Sequence, residues 1–183
     1  MNISRAQKYF ATGLCLTAIV AGGFWSCAEQ PQGPIYQYSA SRDRQGIIDL
    51  FKQNWYWLTA TKDFSTEFML DNRAPDKNII YSGHLQMRVL RENNTLVGFV
   101  AYYMKTKDLG WLLFLVIDEA YRGQRKAETL ATYAIDQMRL QGAKKVRLVT
   151  RTDNVSAQRV YRRLGFTQYK LDPTGFVYFE YTI

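Results

Sequence analysis

The sequence predicts an α/β domain in which helices flank a mixed central sheet of about seven strands. An apolar run at residues 111–117 precedes a helix with an apolar stripe at residues 125–141, and a second short apolar run follows at residues 146–150. A strand, a helix and a strand in this order form a parallel pair with a right-handed crossover. Alternating residues on both sides of Asn93-Asn94 predict an antiparallel hairpin, so the sheet is mixed.

The first half of the domain is predicted to hold one strand, two helices and this hairpin. Short runs that alternate between apolar and polar residues predict the strands, and apolar residues at helical spacing after a polar cap at residues 41–44 predict the first helix. The predicted elements are a strand at residues 35–40, a helix from Ser41 to Leu58, a short helix near residues 64–70 with an exit turn at residues 71–76, and hairpin strands at residues 85–91 and 96–103.

The second half is predicted to alternate strands and helices. The run at residues 111–117 shows little alternation, which is typical of a central strand buried on both faces. Gly142 ends the helix that follows, and Gly165 ends a last helix whose apolar stripe includes Tyr161. Two closing strands are predicted at residues 167–171 and 176–181.

The turn between the strand at residues 111–117 and the next helix is suited to an anion. Backbone N–H groups that open a helix have no internal partner, and the helix dipole is positive there. Arg122, Arg125 and Lys126 add full positive charge at the same place. A phosphate-bearing cofactor is therefore the predicted ligand.

Two motifs in this region resemble the GNAT superfamily of acetyl-CoA-dependent N-acetyltransferases. Residues 122–127, Arg-Gly-Gln-Arg-Lys-Ala, fit the signature turn of that family, with Arg125 in place of its central glycine. Asp153-Asn154 and the helix end at residues 161–166, Tyr-Arg-Arg-Leu-Gly-Phe, fit a second feature. The resemblance covers about the last 150 residues and implies a GNAT-like acyl-CoA N-acyltransferase fold.

The resemblance also implies acetyl-CoA as acyl donor, and transfer of its acyl group to a primary amine of a small molecule or polypeptide by direct attack on the thioester. Tyr161 matches the residue that protonates the leaving thiolate. A strand edge would pair with the pantetheine arm, and the basic turn would wrap the pyrophosphate. The implied cofactor-binding residues are Leu115, Val116, Ile117, Arg122, Gly123, Gln124, Arg125, Lys126, Ala127 and Asn154.

Each of these assignments has a structural alternative. Residues 115–117 also fit an ordinary core strand, Asn154 fits a helix cap, and Tyr161 fits a core tyrosine. No general base is assigned by the sequence; the candidates are His84, Asp118, Glu180 and the pair Tyr102-Tyr103. Arg125 and the missing base favour an alternative function, a non-catalytic acyl-CoA-binding or interaction domain with a degenerate phosphate-binding turn.

The positive charge of the chain is local. Residues 122–163 hold eleven Lys/Arg against three acids, a net charge of +8, which is also the net charge of the whole chain. The phosphates of coenzyme A explain this excess, so no nucleic acid is expected as a partner, and a nucleic-acid or anionic-lipid surface is the alternative. Both cysteines precede residue 30 and there is one histidine, so neither a disulfide nor a metal-ligand cluster is expected in the domain.

The N-terminal region is predicted to be a separate segment. Residues 9–28 are 20 residues without a charge, after Arg5 and Lys8, and could span a membrane or act as a signal. The alternative is a buried helix. We therefore divide the chain into a signal or anchor with a linker, residues 1–34, and an acetyltransferase domain, residues 35–183. This predicts membrane association, with an exported or lipoprotein form possible, or a cytoplasmic protein if the segment is not a signal.

Overall fold

The computed structural model describes residues 35–59, 65–70 and 85–183. The predicted N-terminal segment with its linker, the predicted turn at residues 71–76 and His84 lie outside these ranges. Within the described ranges, no helix has both the length and the apolar character needed to cross a membrane.

Seven strands form one mixed sheet in the described part of the chain, as predicted. They are β1 (Ile35–Gln37), β2 (Gln86–Glu92), β3 (Thr95–Met104), β4 (Leu109–Ile117), β5 (Lys145–Arg151), β6 (Thr167–Asp172) and β7 (Phe176–Thr182). Their order in the sheet is β1-β2-β3-β4-β5-β7-β6, and β4 and β5 are parallel while the other neighbours are antiparallel. Asn93 and Asn94 turn the β2–β3 hairpin with φ of 49° and 66°, the left-handed region that such tight turns require.

The helices confirm the prediction except at one break. They are α1 (Ala40–Gln53), α2 (Trp55–Leu58), α3 (Glu67–Leu70), α4 (Lys126–Leu140) and α5 (Val155–Arg163). The predicted continuous helix from Ser41 to Leu58 is wrong, because it breaks at Asn54. The Asn54 amide donates 2.8 Å to the Leu50 carbonyl oxygen, in competition with the backbone, and thereby offers the chain an alternative to a continued helix.

Two apolar clusters cover the two faces of the sheet. Helices α4 and α5 pack on one face, where Leu130, Met138, Val146, Leu148 and Tyr161 belong to one buried cluster. Helix α1 packs against β3 and β4, and the second cluster contains Ile47, Phe51, Val89 and Phe99. The sheet is thus a middle layer between helices, an arrangement that buries both of its faces.

Strand β4 departs from its prediction as a strand buried on both faces. Its burial alternates, and Trp111, Leu113 and Leu115 are only partly buried. The reason is that β5 accompanies β4 over three residues only, Leu109–Trp111 beside Lys145–Arg147. Leu113 and Leu115 therefore border a gap in the sheet, whereas Trp111 lies beside Arg147 of β5.

Candidate active site

The gap between β4 and β5 defines the candidate site. Beyond Arg147, β5 continues to pair with β7 as far as Arg151. The second half of β4 continues to pair with β3 as far as Ile117. The two parallel strands therefore diverge, and among the described strands β4 has a neighbour on one side only along residues 112–117.

Backbone groups of β4 face this gap. A side chain on Gly98 of β3 would run into the carbonyl oxygen of Val116, so the Val116 peptide groups point towards β3. Successive residues of a strand point their N–H and C=O groups to opposite sides, so those of Leu115 and Ile117 point into the gap. Of the three predicted strand residues, Leu115 and Ile117 are thus oriented to bind an extended ligand. The peptide groups of Val116 instead face the neighbouring strand β3.

A cavity of about 310 Å³ fills the gap. Its walls come from strands β4 and β5, from helices α2 and α5 with the residues next to them, and from the start of β7. The lining residues are Trp57, Leu58, Thr59, Leu112, Leu113, Phe114, Leu115, Val149, Thr150, Asn154, Ala157, Tyr161 and Phe176. None of these lining residues carries a charge. The polar groups of the wall are hydroxyls, an amide, an indole N–H and backbone, which suits a neutral thioester better than an ionic group.

Tyr161 is a buried wall residue of this cavity. It is 7% exposed and packs against Phe166 and Phe179, with ring centroids 6.0 Å away in each case. Within the described part of the chain, no group hydrogen-bonds its hydroxyl. Burial raises the pKa of Tyr161 to about 12. The hydroxyl therefore keeps its proton at neutral pH and is free to bond a ligand in the cavity.

Asn154 caps a helix and also lines the cavity. Its Oδ1 accepts from the Ala157 backbone N–H at 3.2 Å and so caps α5. Its side chain also lines the cavity. The cap uses the oxygen only, which leaves the Nδ2 donor for a ligand.

The basic turn is shaped for an anion. Gly123 has φ of 78°, and Arg125 has φ of 58°, so Arg125 adopts the left-handed conformation that the glycine of the motif would take. No acceptor is found among the described residues for the backbone N–H groups of residues 124–128. Gly123, Gln124 and Arg125 are exposed, so the Arg125 side chain adds charge without filling the turn.

Two cations of the turn are already engaged. Arg122 donates from Nε to the Ile117 carbonyl oxygen at 3.2 Å and from Nη2 to Asn54 Oδ1 at 2.7 Å. It therefore ties the end of β4 to the break between α1 and α2. Lys126 pairs with the carboxylate of Glu92 at the end of β2. Ala127 is half-buried and packs against the core, so it contributes its N–H.

Helix α2 is held over the cavity by polar contacts that sequence reasoning missed. None of its side chains is fully buried. Arg151 at the end of β5 donates to the carbonyl oxygens of Tyr56 and Thr59, the latter at 2.9 Å, and its guanidinium lies 4.2 Å from the centre of the Tyr56 ring. The Tyr56 hydroxyl donates to Asp153 at 2.7 Å. Trp57 and Leu58 are thereby fixed as one wall of the cavity.

The described candidates for a general base lie outside the cavity lining. Asp118 accepts a bond from the Ala120 N–H and caps a 3₁₀ turn. Glu180 pairs with Lys145 and Arg147, and the hydrogen bond from Lys145, joined by that from Arg147, holds the pKa of Glu180 below its usual range. The Tyr102 hydroxyl donates to Gln86. Among the described residues, the lining therefore offers no carboxylate or imidazole to take a proton.

Comparison with known sequences identifies relatives. The model of the "Acetyltransferase (GNAT) family" matches residues 47–166. N-alpha-acetyltransferase 30 of Schizosaccharomyces pombe is 41% identical over 86 residues, 45% of this chain and 57% of that protein. Mycothiol acetyltransferase of Corynebacterium glutamicum is 32% identical over 78 residues, 43% of this chain and 27% of that protein. The matches thus span less than two thirds of each relative.

Solved structures share the fold. The PaiA N-acetyltransferase of Thermoplasma acidophilum, in complex with coenzyme A, matches with a TM-score of 0.64 and 20% identity over 81% of this chain and 98% of that one. Ribosomal-protein-alanine N-acetyltransferase of Brucella melitensis has a TM-score of 0.65 and 15% identity, over 81% and 99%. The yncA protein of Salmonella typhimurium, solved with its cofactor acetyl-CoA, has a TM-score of 0.65 and 15% identity, over 81% and 92%.

Proposed function

The chain belongs to the GNAT family of acetyltransferases, and we propose that it transfers the acetyl group of acetyl-CoA to a primary amine by direct attack on the thioester. The observation that carries this proposal is the uncharged cavity between β4 and β5, which holds outward-facing backbone groups on one wall and the Tyr161 hydroxyl on another. The N–H groups of residues 124–128 lie beyond the end of β4, where they would bind the pyrophosphate.

Each wall has a role in this reaction. The N–H of Leu115 would polarise the thioester carbonyl and stabilise the oxyanion as the amine nitrogen forms its bond to carbon. As the carbon–sulfur bond breaks, Tyr161 would supply a proton to the sulfur. The attacking nitrogen would lose its proton to water, because the lining residues that the structure describes include no carboxylate or imidazole. The products are an N-acetyl amide and coenzyme A, and Tyr161 would regain its proton from water.

The acceptor would enter past α2. Trp57 and Tyr56 are each 40% exposed there, and Trp57 reaches the cavity lining. A relative named as an N-alpha-acetyltransferase supports the α-amine of a polypeptide as the acceptor. A small-molecule amine is the other acceptor class that a test must include.

Two measurements test the proposal. Calorimetric titration with acetyl-CoA is expected to show saturable binding, and release of free thiol is expected to depend on an added amine. A panel of N-terminal peptides and small primary amines separates the two acceptor classes. Tight binding without any acceptor-dependent thiol release would contradict transfer and favour a non-catalytic acyl-CoA-binding domain.

We expect Arg151→Gln to impair acceptor binding selectively. The substitution removes the guanidinium that holds the Tyr56 and Thr59 carbonyl oxygens, so α2 loses its fixed position at the acceptor side. The KM for the amine should rise by about 10-fold, the scale of losing hydrogen bonds from a charged donor, while the Kd of acetyl-CoA should stay within about 2-fold. Arg139→Gln, at an exposed Arg on α4, is the matched control. Equal effects on both substrates would refute a role confined to α2.

We expect Glu92→Gln to tighten cofactor binding. Lys126 must exchange the Glu92 carboxylate for a phosphate, and the amide of glutamine competes less well for the ammonium group. The Kd of acetyl-CoA should fall by about 2- to 5-fold, in keeping with the modest free energy of a partly exposed ion pair. Asp136→Asn breaks a similar pair with Arg139 on the exposed side of α4 and should leave the Kd unchanged. Weaker binding in Glu92→Gln would show that Lys126 does not bind phosphate.

A further inference from the structure

Thr150 is a buried polar residue at an apolar position. It is 5% exposed and lies on β5 next to Val149. Side chains two apart in a strand share a face, so Thr150 points to the same face as Leu148 and Val146, both of which belong to the cluster that packs against α4 and α5. Valine would fill this place with the same shape and without a hydroxyl.

The Thr150 hydroxyl has no hydrogen-bond partner among the described residues, and it is not one of the fully buried unpaired polar atoms. Because Thr150 belongs to the lining, its hydroxyl is open to the cavity. At this otherwise apolar position the hydroxyl makes no bond within the protein, so its O–H donor is left for a molecule in the cavity. Such a group is expected where it serves a ligand.

The position of Thr150 indicates which part of the ligand it would meet. Tyr161 belongs to the same cluster as Val146 and Leu148, so the two hydroxyls approach the cavity from the α5 side of the sheet. The α2 residues Trp57 and Leu58 form the opposite, acceptor side. Thr150 is therefore grouped with Tyr161, on the side of the leaving group.

Tyr161 alone is a weak acid for protonating the leaving sulfur. A thiol has a pKa near 8.5, and the pKa of Tyr161 is about 12 in its buried position. Complete proton transfer from Tyr161 to a thiolate is thus unfavourable before any other group acts. A second hydrogen bond to the sulfur would stabilise the negative charge without needing to give up a proton.

We propose that the Thr150 hydroxyl donates a hydrogen bond to the coenzyme A sulfur as the carbon–sulfur bond breaks, alongside the hydroxyl of Tyr161. The new carbon–nitrogen bond forms, the electron pair of the broken bond stays on sulfur, and Thr150 keeps its proton. This inference rests on the proposed function, because it assigns the cavity to the thioester.

The test compares Thr150→Val with Thr150→Ser. Thr150→Val keeps the shape of the side chain, and we expect it to lower kcat by about 10-fold and to leave Tm nearly unchanged, because the hydroxyl has no protein partner to lose. Thr150→Ser keeps the hydroxyl and should retain kcat within about 3-fold. Thr182→Val, at an exposed position of β7, makes the same chemical change and should alter neither quantity. A kcat within 2-fold in Thr150→Val, or a loss of stability in it, would overturn the inference.

A second readout needs no turnover. The ultraviolet absorbance of the thiolate gives the pKa of the thiol in bound coenzyme A, and Thr150→Val should raise that pKa by about 1 because the thiolate loses a donor. An unchanged pKa would overturn the inference. Binding of coenzyme A without transfer to any amine would contradict the proposed function while leaving this thiol titration interpretable, so the two failures are distinguishable.

Discussion

Tyr161→Phe is expected to lower kcat by about 10²-fold or more, the scale of losing a general acid. The phenyl ring keeps the contacts with Phe166 and Phe179, so only the proton donor is removed. Because the hydroxyl has no partner among the described residues, stability should be unchanged or slightly higher. The measurement is steady-state turnover at saturating acetyl-CoA and amine, with Tm recorded for both proteins.

The control is Tyr133→Phe, because Tyr133 is outside the cavity lining. The substitution removes a hydroxyl that accepts a hydrogen bond from Arg88 Nε. It should leave kcat unchanged.

The pH profile provides a second check. Burial raises the pKa of Tyr161 to about 12, so the proton is present at all lower pH and is lost only as the pH rises through that value. Any alkaline decline near pH 9 must come from another group and should persist in Tyr161→Phe. An unchanged kcat in Tyr161→Phe would show that Tyr161 is a core tyrosine and not the proton donor.

The parts of the site that depend on local sequence could be predicted. Tyr161 lies on the apolar stripe of one helix, and the basic turn joins one strand to one helix, so a few neighbouring residues determine both. The helix predicted to begin at Arg125 begins one residue later, at Lys126, and Arg125 precedes it in a left-handed conformation. A pattern of residue types specifies such features because the interactions that form them span only a few residues.

The rest depends on contacts between distant parts of the chain. Arg151 binds the carbonyl oxygen of Tyr56, 95 residues earlier, and Lys126 pairs with Glu92, 34 residues earlier. Pairs so far apart produce no periodic pattern in the sequence from which they could be predicted. The gap beside β4 likewise depends on where β5, a strand about 30 residues later, diverges from it, so the apolar run at residues 111–117 could not show that four of its residues border a cavity.

Ala157→Phe is expected to weaken acetyl-CoA binding by about 100-fold or more, a loss of roughly 2.7 kcal/mol in binding free energy. Ala157 lies on α5 in the wall of the cavity and is half-buried. A phenyl ring there would take a large part of a cavity of about 310 Å³, the space proposed for the thioester. The Ala157 N–H that bonds Asn154 belongs to the backbone, so the cap of α5 is retained.

The measurement is calorimetric titration with acetyl-CoA, and the matched control is Val155→Phe. Val155 begins the same helix and is 51% exposed, so a ring there extends into solvent and should leave the Kd unchanged. A ring that overpacked the core would lower the free energy of unfolding by about 1 to 3 kcal/mol and would therefore lower Tm. A nearly unchanged Tm together with lost binding indicates that the ring occupies the cavity without distorting the fold. Binding at the unmodified affinity in Ala157→Phe would show that acetyl-CoA does not enter the gap between β4 and β5, and the assignments of Tyr161 and Thr150 would fail with it.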